Sequence, residues 1–417
     1  MAGTQSLALH DADLCDSLAA GHTAGCLTVS KMKIRELNCF QVSGPAHVDA
    51  FEERQLQMLD IYPELARRGP GPGSERVTDT YVEVIAEDGT TGQFGPIFDE
   101  TAPIVLAKLA PQVVGQDALA YERLWDVLYR QDRHARKGYE MMAISAVDCA
   151  VWDLRGKLLG LPVYRLLGGP TRQSVECYAS MLGHSLDLGL VRARAQATVE
   201  QGFKAQKWFF RYGPSDGLEG MQRNVDLVRT VREAVGPTVE IMFDCFMGGD
   251  VTYMIRLIER IAEFQPRWVE EPVPPDRIGD FAALKRATRV PIATGEHEYT
   301  RWGFLQLLQA DAIDVIQADP DWCGGITELV KICTLASCYG RPVFPHGHSI
   351  HAALHVIAAQ SPGVCPMAEF LIWPQRAKQA LYARALWPTN GLIDLPDEPG
   401  LGIRLAEERI DARRRLT

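Results

Sequence analysis

Seven polar residues that could do chemistry recur along the second half of the chain, each at or near the end of a short apolar run. The steps from Asp244 onward are 26, 26, 23, 27 and 23 residues. One strand and one helix occupy about that length, so parallel strands in a closed barrel would bring these side chains to one rim, where barrel active sites lie. The seven are Lys207, Asp244, Glu270, Glu296, Asp319, His346 and Glu369.

Three of these residues, Asp244, Glu270 and Glu296, would come from adjacent strands and offer three hard oxygen ligands. Carboxylates that share one place repel each other, which raises their pKa values unless a cation neutralises them. Mg²⁺ fits this set better than zinc, because it prefers oxygen ligands and leaves positions for water and substrate. Each acid alone is more often a solvated loop residue or a helix cap, and only their common register favours a metal site.

His346 follows the run RPVFP, and Asp319 ends the preceding apolar run. An aspartate that accepts the Nδ1 proton of an imidazole fixes its tautomer and makes Nε2 a general base near neutral pH. A lone histidine at a strand end is usually structural, so the matched aspartate carries this prediction. His348 and His351 lack the HExxH or HxxxH spacing of helical zinc sites, and we treat them as neighbours of the site.

The pattern of elements that must position these residues predicts a barrel. After residue 166, short β-branched runs alternate with amphipathic stretches, as in βαβ units. The GxGxxG turn of the rival open sheet is absent from the sequence. We therefore predict a modified TIM barrel of (β/α)7β type over residues 166–385. Its candidate strands are VECYAS, FKAQKWFF, VEIMFD, RWVEE, PIAT, IDVIQ, PVFP and PMAEF.

An α+β capping domain is predicted for residues 32–165. KIRELNCFQV and YVEVIAEDGTTGQFGP alternate apolar and polar residues around a DG turn, as antiparallel strands do. AISAVDCAVWDLRGKLLG has helical periodicity that Gly160 ends. We expect residues 386–417 to pack back on this domain. Residues 1–31 are predicted to be a flexible extension, and Met32 could be the functional start.

Composition indicates a globular protein that binds small molecules. The chain is 47% hydrophobic and 23% charged, and its net charge of −10 includes no basic stripe for nucleic acid. No apolar run is long enough to span a membrane, and the first thirty residues lack a secretory signal. Ten cysteines without a CxxC pair indicate reduced thiols, so we expect a cytoplasmic location.

The motifs GEHE, EEP, DWCGG and PHG together resemble the mandelate racemase subgroup of the enolase superfamily, over nearly the whole chain from about residue 33. Within that subgroup, the L-rhamnonate dehydratases have stretches similar to IYPELARR, FDCFM, TGEHE, QADPDWCGGIT and FPHGHS. The resemblance implies a capping domain whose loop around residues 62–68 closes over the substrate. It also implies Mg²⁺ on the three carboxylates, His346 with Asp319 as the base, and Glu369 in a hydrogen bond to an enediolate.

One departure from the subgroup bears on the reaction. Members with two opposed bases carry KxK on the second barrel strand, whereas this chain has Lys207, Trp208 and Phe209. A racemase or epimerase needs a proton acceptor on each face of the carbanion, so both are disfavoured, as are cycloisomerases that use paired lysines. By the same resemblance, Lys207 should help to bind the substrate carboxylate.

The predicted activity is therefore a magnesium-dependent acid-sugar dehydratase. His346 would remove the C2 proton and then protonate the departing C3 hydroxyl, a syn elimination that yields a 2-keto-3-deoxy acid. Mg²⁺ and Lys207 would stabilise the enediolate, and Glu369 would add a hydrogen bond only if protonated.

The substrate is less closely defined by the sequence. The resemblance suggests L-rhamnonate or its relatives L-mannonate and L-lyxonate, but Arg211 stands where a histidine is expected. Because Arg pairs bidentately with carboxylate, a galactarate-type diacid stays open, and so does a barrel that only binds. We expect a homo-oligomer. The predicted substrate contacts are Lys207, Arg211, Arg68, Tyr62 and His297.

Overall fold

The computed structural model describes residues 32–62, 64 and 72–417, which contain two sheets. The first is antiparallel, with strand order β12-β1-β2-β3. The DG turn between β2 and β3 is present, with Gly89 at φ +88°. This sheet confirms the predicted antiparallel opening of the chain. Its strands are β1 Ile34–Val48, β2 Ser74–Ala86, β3 Thr91–Ile97 and β12 Ala412–Arg415.

The second sheet is a parallel barrel with strand order β10-β4-β5-β6-β7-β8-β9, and the antiparallel strand β11 (Leu392–Asp394) pairs with β4. Pairing of the last parallel strand with the first closes the sheet on that side, and the predicted barrel is confirmed. The parallel strands are β4 Ser174–Ser180, β5 Ala205–Phe209, β6 Glu240–Asp244, β7 Trp268–Glu270, β8 Ile292–Thr294, β9 Val315–Ile316 and β10 Ala368–Leu371.

One predicted strand, PVFP, needs correction. It makes a single bridge, between Val343 and Ile316, and no strand. Pro342 and Pro345 flank the dipeptide of Val343 and Phe344 and lack the amide hydrogen that a ladder needs. The segment still lies beside β9, because the Phe344 amide donates to the Ile316 carbonyl at 2.8 Å.

The barrel interior is filled by eight apolar side chains. Seven of them lie on or directly before the parallel strands, and the eighth lies in the segment PVFP. These residues form a single buried cluster, and the Trp268 and Phe344 rings lie 5.0 Å apart within it. Because side chains alternate along a strand, the residues two positions later point into the same space, one layer higher. The cluster consists of Tyr178, Ala205, Met242, Trp268, Ala293, Val315, Phe344 and Met367.

Helices surround the barrel and connect it to the first sheet. In the described part of the chain, no helix is both long and apolar enough to cross a membrane. A π-helical turn, Val105–Leu109, links α1 to α2. The α-helices are α1 Ala102–Ile104, α2 Ala110–Val113, α3 Tyr121–Gln131, α4 Tyr139–Leu159, α5 Val163–Leu166, α6 Leu188–Glu200, α7 Gly217–Val235, α8 Val251–Ile261, α9 Ile278–Ala287, α10 Thr300–Gln309, α11 Gly325–Cys338, α12 Ile350–Ala359 and α13 Ile372–Lys378.

Helix α4 joins the two sheets. Along most of its length it is buried, and it ends at Gly160 in the left-handed conformation, as predicted. The Trp152 indole donates to the Thr327 hydroxyl of α11 at 2.9 Å. The Asp148 carboxylate accepts from the Thr327 amide at 2.9 Å. These contacts hold the barrel against the antiparallel sheet.

Replacement of Gly156 in α4 by alanine should lower the thermal unfolding midpoint. Alanine in a helix is ordinarily favoured over glycine by about 1 kcal/mol. A Cβ at position 156, however, would lie 2.5 Å from the Cα and N atoms of Gly400, and such overlap costs about 1–3 kcal/mol. Gly279→Ala in α9 is the matched control, because its Cβ would meet no described atom within 4 Å. Equal midpoints for Gly156→Ala and wild type would contradict this packing.

Candidate active site

A cavity of about 270 Å³ opens at the carboxyl ends of the barrel strands. Four of the predicted residues line it: Lys207, Asp244, Glu296 and His346. Glu270, Asp319 and Glu369 are fully buried directly behind them. The structure thus brings all seven strand-end residues to one place.

The imidazole of His346 is held by Asp319. Its Nδ1 lies 2.6 Å from Asp319 Oδ2, and its Nε2 lies 3.4 Å from Glu296 Oε2. Burial by itself would lower the pKa of His346, but the Glu296 carboxylate and the hydrogen bond to Asp319 raise it to about 10. The Asp319 contact leaves Nε2 as the nitrogen that can act on a bound molecule.

Lys207 lies among the buried carboxylates. Its ammonium contacts Glu270, lies 2.8 Å from Glu369 Oε1 and lies 3.8 Å from Asp244 Oδ2. Burial opposes the charge of Lys207, but these carboxylates together raise its pKa well above the usual value. Lys207 is therefore a permanent cation at the base of the cavity.

The three predicted metal ligands carry more negative charge than their surroundings neutralise. Burial is the main cause that raises the pKa of Asp244, Glu270 and Glu296 to about 7 each. Asp244 accepts one backbone hydrogen bond, from Phe246 at 2.8 Å. A hard divalent cation suits such an oxygen-rich, electron-rich donor set.

A second grouping shares Glu296. Within the described residues, the ligand atoms of Glu271, Glu296 and His297 lie within 4.8 Å of one another. Glu270 instead contacts Lys207 and accepts from the Trp268 indole at 3.0 Å. Glu296 is thus the acid common to both sets.

Glu369 does not meet the condition under which it would donate a hydrogen bond. Burial would raise its pKa, but the charges of Lys207 and His346 outweigh burial and lower it. Its Oε2 accepts from the Gly347 amide at 3.1 Å. The carboxyl is therefore ionised and acts as an acceptor in this structure.

The predicted substrate contacts other than Lys207 lie elsewhere or face other partners. Arg211 Nε lies 3.5 Å from Glu53, and its Nη1 lies 3.8 Å from Asp60, so its charge is directed to acids before β2. Tyr62 is half exposed. His297 Nδ1 lies 2.9 Å from Glu271. Arg68 lies outside the described residues.

Several cavity residues were absent from the sequence prediction. His348 was treated only as a neighbour, yet it lines the cavity together with Trp322, Phe98 and Lys378. A signal for His348 existed: it follows His346 by two residues, as Asp321 follows Asp319. His351 is buried in α12 against Tyr382 and does not line the cavity.

Two sequence families match the chain. "Enolase C-terminal domain-like" matches residues 190–409, and "Mandelate racemase / muconate lactonizing enzyme, N-terminal domain" matches residues 77–168. The chain is 36% identical over 403 residues to an L-rhamnonate dehydratase from Saccharopolyspora erythraea, a match that covers 92% of this chain and 99% of the relative.

Solved structures show the same likeness. A rhamnonate dehydratase from Gibberella zeae, complexed with Mg, is 29% identical with a TM-score of 0.78, over 91% of this chain and 96% of that one. A 3,6-anhydro-D-galactonate cycloisomerase from Zobellia galactanivorans is also 29% identical, with a TM-score of 0.73, over 91% of this chain and 100% of that one. Proteins of different reaction types thus share this fold.

The raised pKa of Asp244 makes stability depend on pH when divalent ions are removed. Its value of about 7 in the folded chain exceeds the ordinary 3.8, so stability falls as the pH rises through that interval. In EDTA, the thermal midpoint of the wild type should fall as the pH rises from about 4 to about 7, and that of Asp244→Asn should fall less. The exposed Asp276→Asn serves as control. An unchanged pH dependence in Asp244→Asn would contradict this account.

Proposed function

Because this chain belongs to the mandelate racemase and muconate lactonizing enzyme family of the enolase superfamily, we propose that it is a magnesium-dependent sugar-acid dehydratase that acts on L-rhamnonate or a close relative. The observation that supports this most directly is the His346 and Asp319 pair at the carboxylate-lined end of the cavity. Such a pair can take a proton from the carbon beside a carboxylate.

The donor set fits a divalent cation. Asp244, Glu270 and Glu296 would hold Mg²⁺, as the oxygen chemistry and the raised pKa values of these buried acids support. When bound, the ion supplies positive charge that stabilises the negative charge developing on the substrate carboxylate.

His346 is the proposed base. Asp319 keeps Nδ1 occupied, so Nε2 accepts the C2 proton. A base must be neutral before it acts, and the Glu296 carboxylate is a principal cause of the high pKa of His346. Neutralising Glu296 therefore returns the imidazole towards a neutral base. Lys207 supplies a fixed positive charge for the substrate carboxylate.

The last residue of β5, Phe209, favours dehydration over racemisation. Phe209 is buried and lines the cavity where two-base members have a second lysine. An aromatic ring cannot accept a proton, and it helps to exclude water from the reacting carbon. A single base at C2 suits elimination, whereas a racemase must reprotonate the opposite face.

The names of the relatives support the substrate class. Both an L-rhamnonate dehydratase and a rhamnonate dehydratase with Mg are similar to this chain over more than nine-tenths of its length. An aldarate stays an alternative, because Lys378 places a second cation on the cavity wall. A panel of C5 and C6 aldonates and aldarates, assayed for 2-keto acids with Mg²⁺, tests the proposal, and inactivity on the whole panel would refute it.

His346→Asn should lower turnover of L-rhamnonate by about 10²- to 10⁴-fold, because it removes the proton acceptor. Exchange of the C2 hydrogen in deuterated water, followed by NMR, should be lost at the same time, while calorimetric Mg²⁺ affinity is kept. The exposed His134→Asn is the matched control. Persistent C2 exchange in His346→Asn would rule out the base assignment.

Glu296→Gln should weaken Mg²⁺ binding by at least about tenfold, because it removes one charged ligand. Isothermal titration calorimetry of the purified protein measures this directly. Glu259→Gln, at an exposed position of α8, controls for the loss of one negative charge. A titration curve equal to that of Glu259→Gln would remove Glu296 from the proposed ligand set.

A further inference from the structure

A second histidine and aspartate pair stands beside the first, in the same register. His348 Nδ1 lies 2.5 Å from Asp321 Oδ2, and His346 Nδ1 lies 2.6 Å from Asp319 Oδ2. In each pair the histidine follows its aspartate by 27 residues. Two adjacent chain segments therefore present two oriented imidazoles instead of one.

Both imidazoles belong to the same cavity. His346 and His348 each line it, and each ring centroid lies 5.1 Å from the Trp322 ring. Phe98 covers the outer side of His348, with ring centroids 5.2 Å apart. Because Asp321 occupies Nδ1, Nε2 is the nitrogen of His348 left for a bound molecule.

We propose that His348, oriented by Asp321, is the acid that protonates the hydroxyl leaving from C3, so that His346 acts only as the base. This inference rests on the proposed dehydratase function. It replaces the single acid/base of the syn mechanism with two histidines that divide the work.

A purely structural role explains the pair poorly. Asp321 is buried, and its Oδ1 has no hydrogen-bond partner among the described residues. The buried Trp322 indole Nε1 beside it likewise has no partner within the described chain. A buried polar group without a partner destabilises the folded chain. Trp322 lines the cavity, so a substrate hydroxyl can accept from its indole, whereas Asp321 lies behind His348 and does not line the cavity.

The pKa shifts of His348 and Asp321 agree with the role of a general acid. Burial and the Asp319 charge raise the pKa of Asp321 well above its usual value. Its Oδ1 also has no hydrogen-bond partner among the described residues. Burial, Lys378 and His346 lower the pKa of His348. Both directions agree with the proposed neutral pair, in which a protonated Asp321 donates to Nδ1 and the ring carries its own proton on Nε2.

The step balances with this one proton. As the C3 to oxygen bond breaks, the Nε2 proton moves to the departing oxygen and forms water. The Asp321 proton moves to Nδ1, which leaves an aspartate beside a neutral imidazole. His346 has taken the C2 proton, and exchange with water returns both pairs to their starting state. The enol product tautomerises to the 2-keto-3-deoxy acid without net proton change.

His348→Asn separates the two proton transfers. With L-rhamnonate and Mg²⁺ in deuterated water, C2 exchange should stay within about threefold of wild type, while formation of the 2-keto-3-deoxy acid falls about 100-fold or more. Asp321→Asn should give the same split with a smaller loss. His134→Asn, which removes an exposed histidine beside Asp132, should change neither rate.

A fluorinated substrate distinguishes a lost acid from a damaged site. Fluoride leaves without a proton, so His348→Asn should release fluoride from 3-deoxy-3-fluoro-L-rhamnonate within about threefold of the wild-type rate. Equal losses with both substrates, a higher KM with unchanged kcat, or unchanged dehydration would each overturn the assignment. Wild-type enzyme without exchange or turnover on any aldonate would instead refute the dehydratase function, and this inference with it.

Discussion

Five buried carboxylates at the barrel rim outnumber the three cations beside them, Lys207, His297 and His346, and the rest of the site follows from that imbalance. Removing charged groups from water is costly unless opposite charges and hydrogen bonds compensate. Here the compensation is incomplete, since burial raises the pKa of three of the acids to about 7. A site in this condition binds a cation strongly and places it where a substrate anion can share it. The acids are Asp244, Glu270, Glu296, Asp319 and Glu369.

The apolar layer beneath the rim makes such a charge distribution sustainable. Asp244 and Glu270 each follow a residue of that layer by two positions, and so do His346 and Glu369. Close packing below fixes the backbone, so the charged side chains cannot move apart to relieve their repulsion. The two layers are one consequence of the alternation of side chains along strands. The apolar lower layer stabilises the barrel, and the charged upper layer carries the proposed chemistry.

The same alternation explains how much the sequence alone could predict. The repeat of about 25 residues located six of the seven rim residues, those from Asp244 onward, because each βα unit returns the chain to the same edge. It did not locate β12, whose four residues pair with β1 from the far end of the chain. It also did not predict where Arg211 points, because a long side chain follows its acidic partners, and Glu53 and Asp60 lie more than 150 residues earlier in the chain. HGHSIH has no zinc spacing that would single out His348, and the informative relation is the two-residue step from His346 to His348, which matches the step from Asp319 to Asp321.

The cavity walls, unlike the rim, draw on both sheets. Phe98 follows β3 of the antiparallel sheet, Gln55 follows β1, and Trp322 and Lys378 come from the barrel. Residues on the wall contact whatever extends beyond the reacting carbons, so they select the sugar while the rim performs the proton transfer. A barrel rim fixed by strand geometry can therefore keep one type of proton chemistry while loops from the other sheet change the acid that enters. The His348 and Asp321 pair lies at the boundary between these two parts, on a barrel segment but against Phe98. In the proposed reaction, a group at that position acts on the atoms next to the reacting carbon, so its chemistry bears on the fate of the carbanion as well as on the choice of substrate.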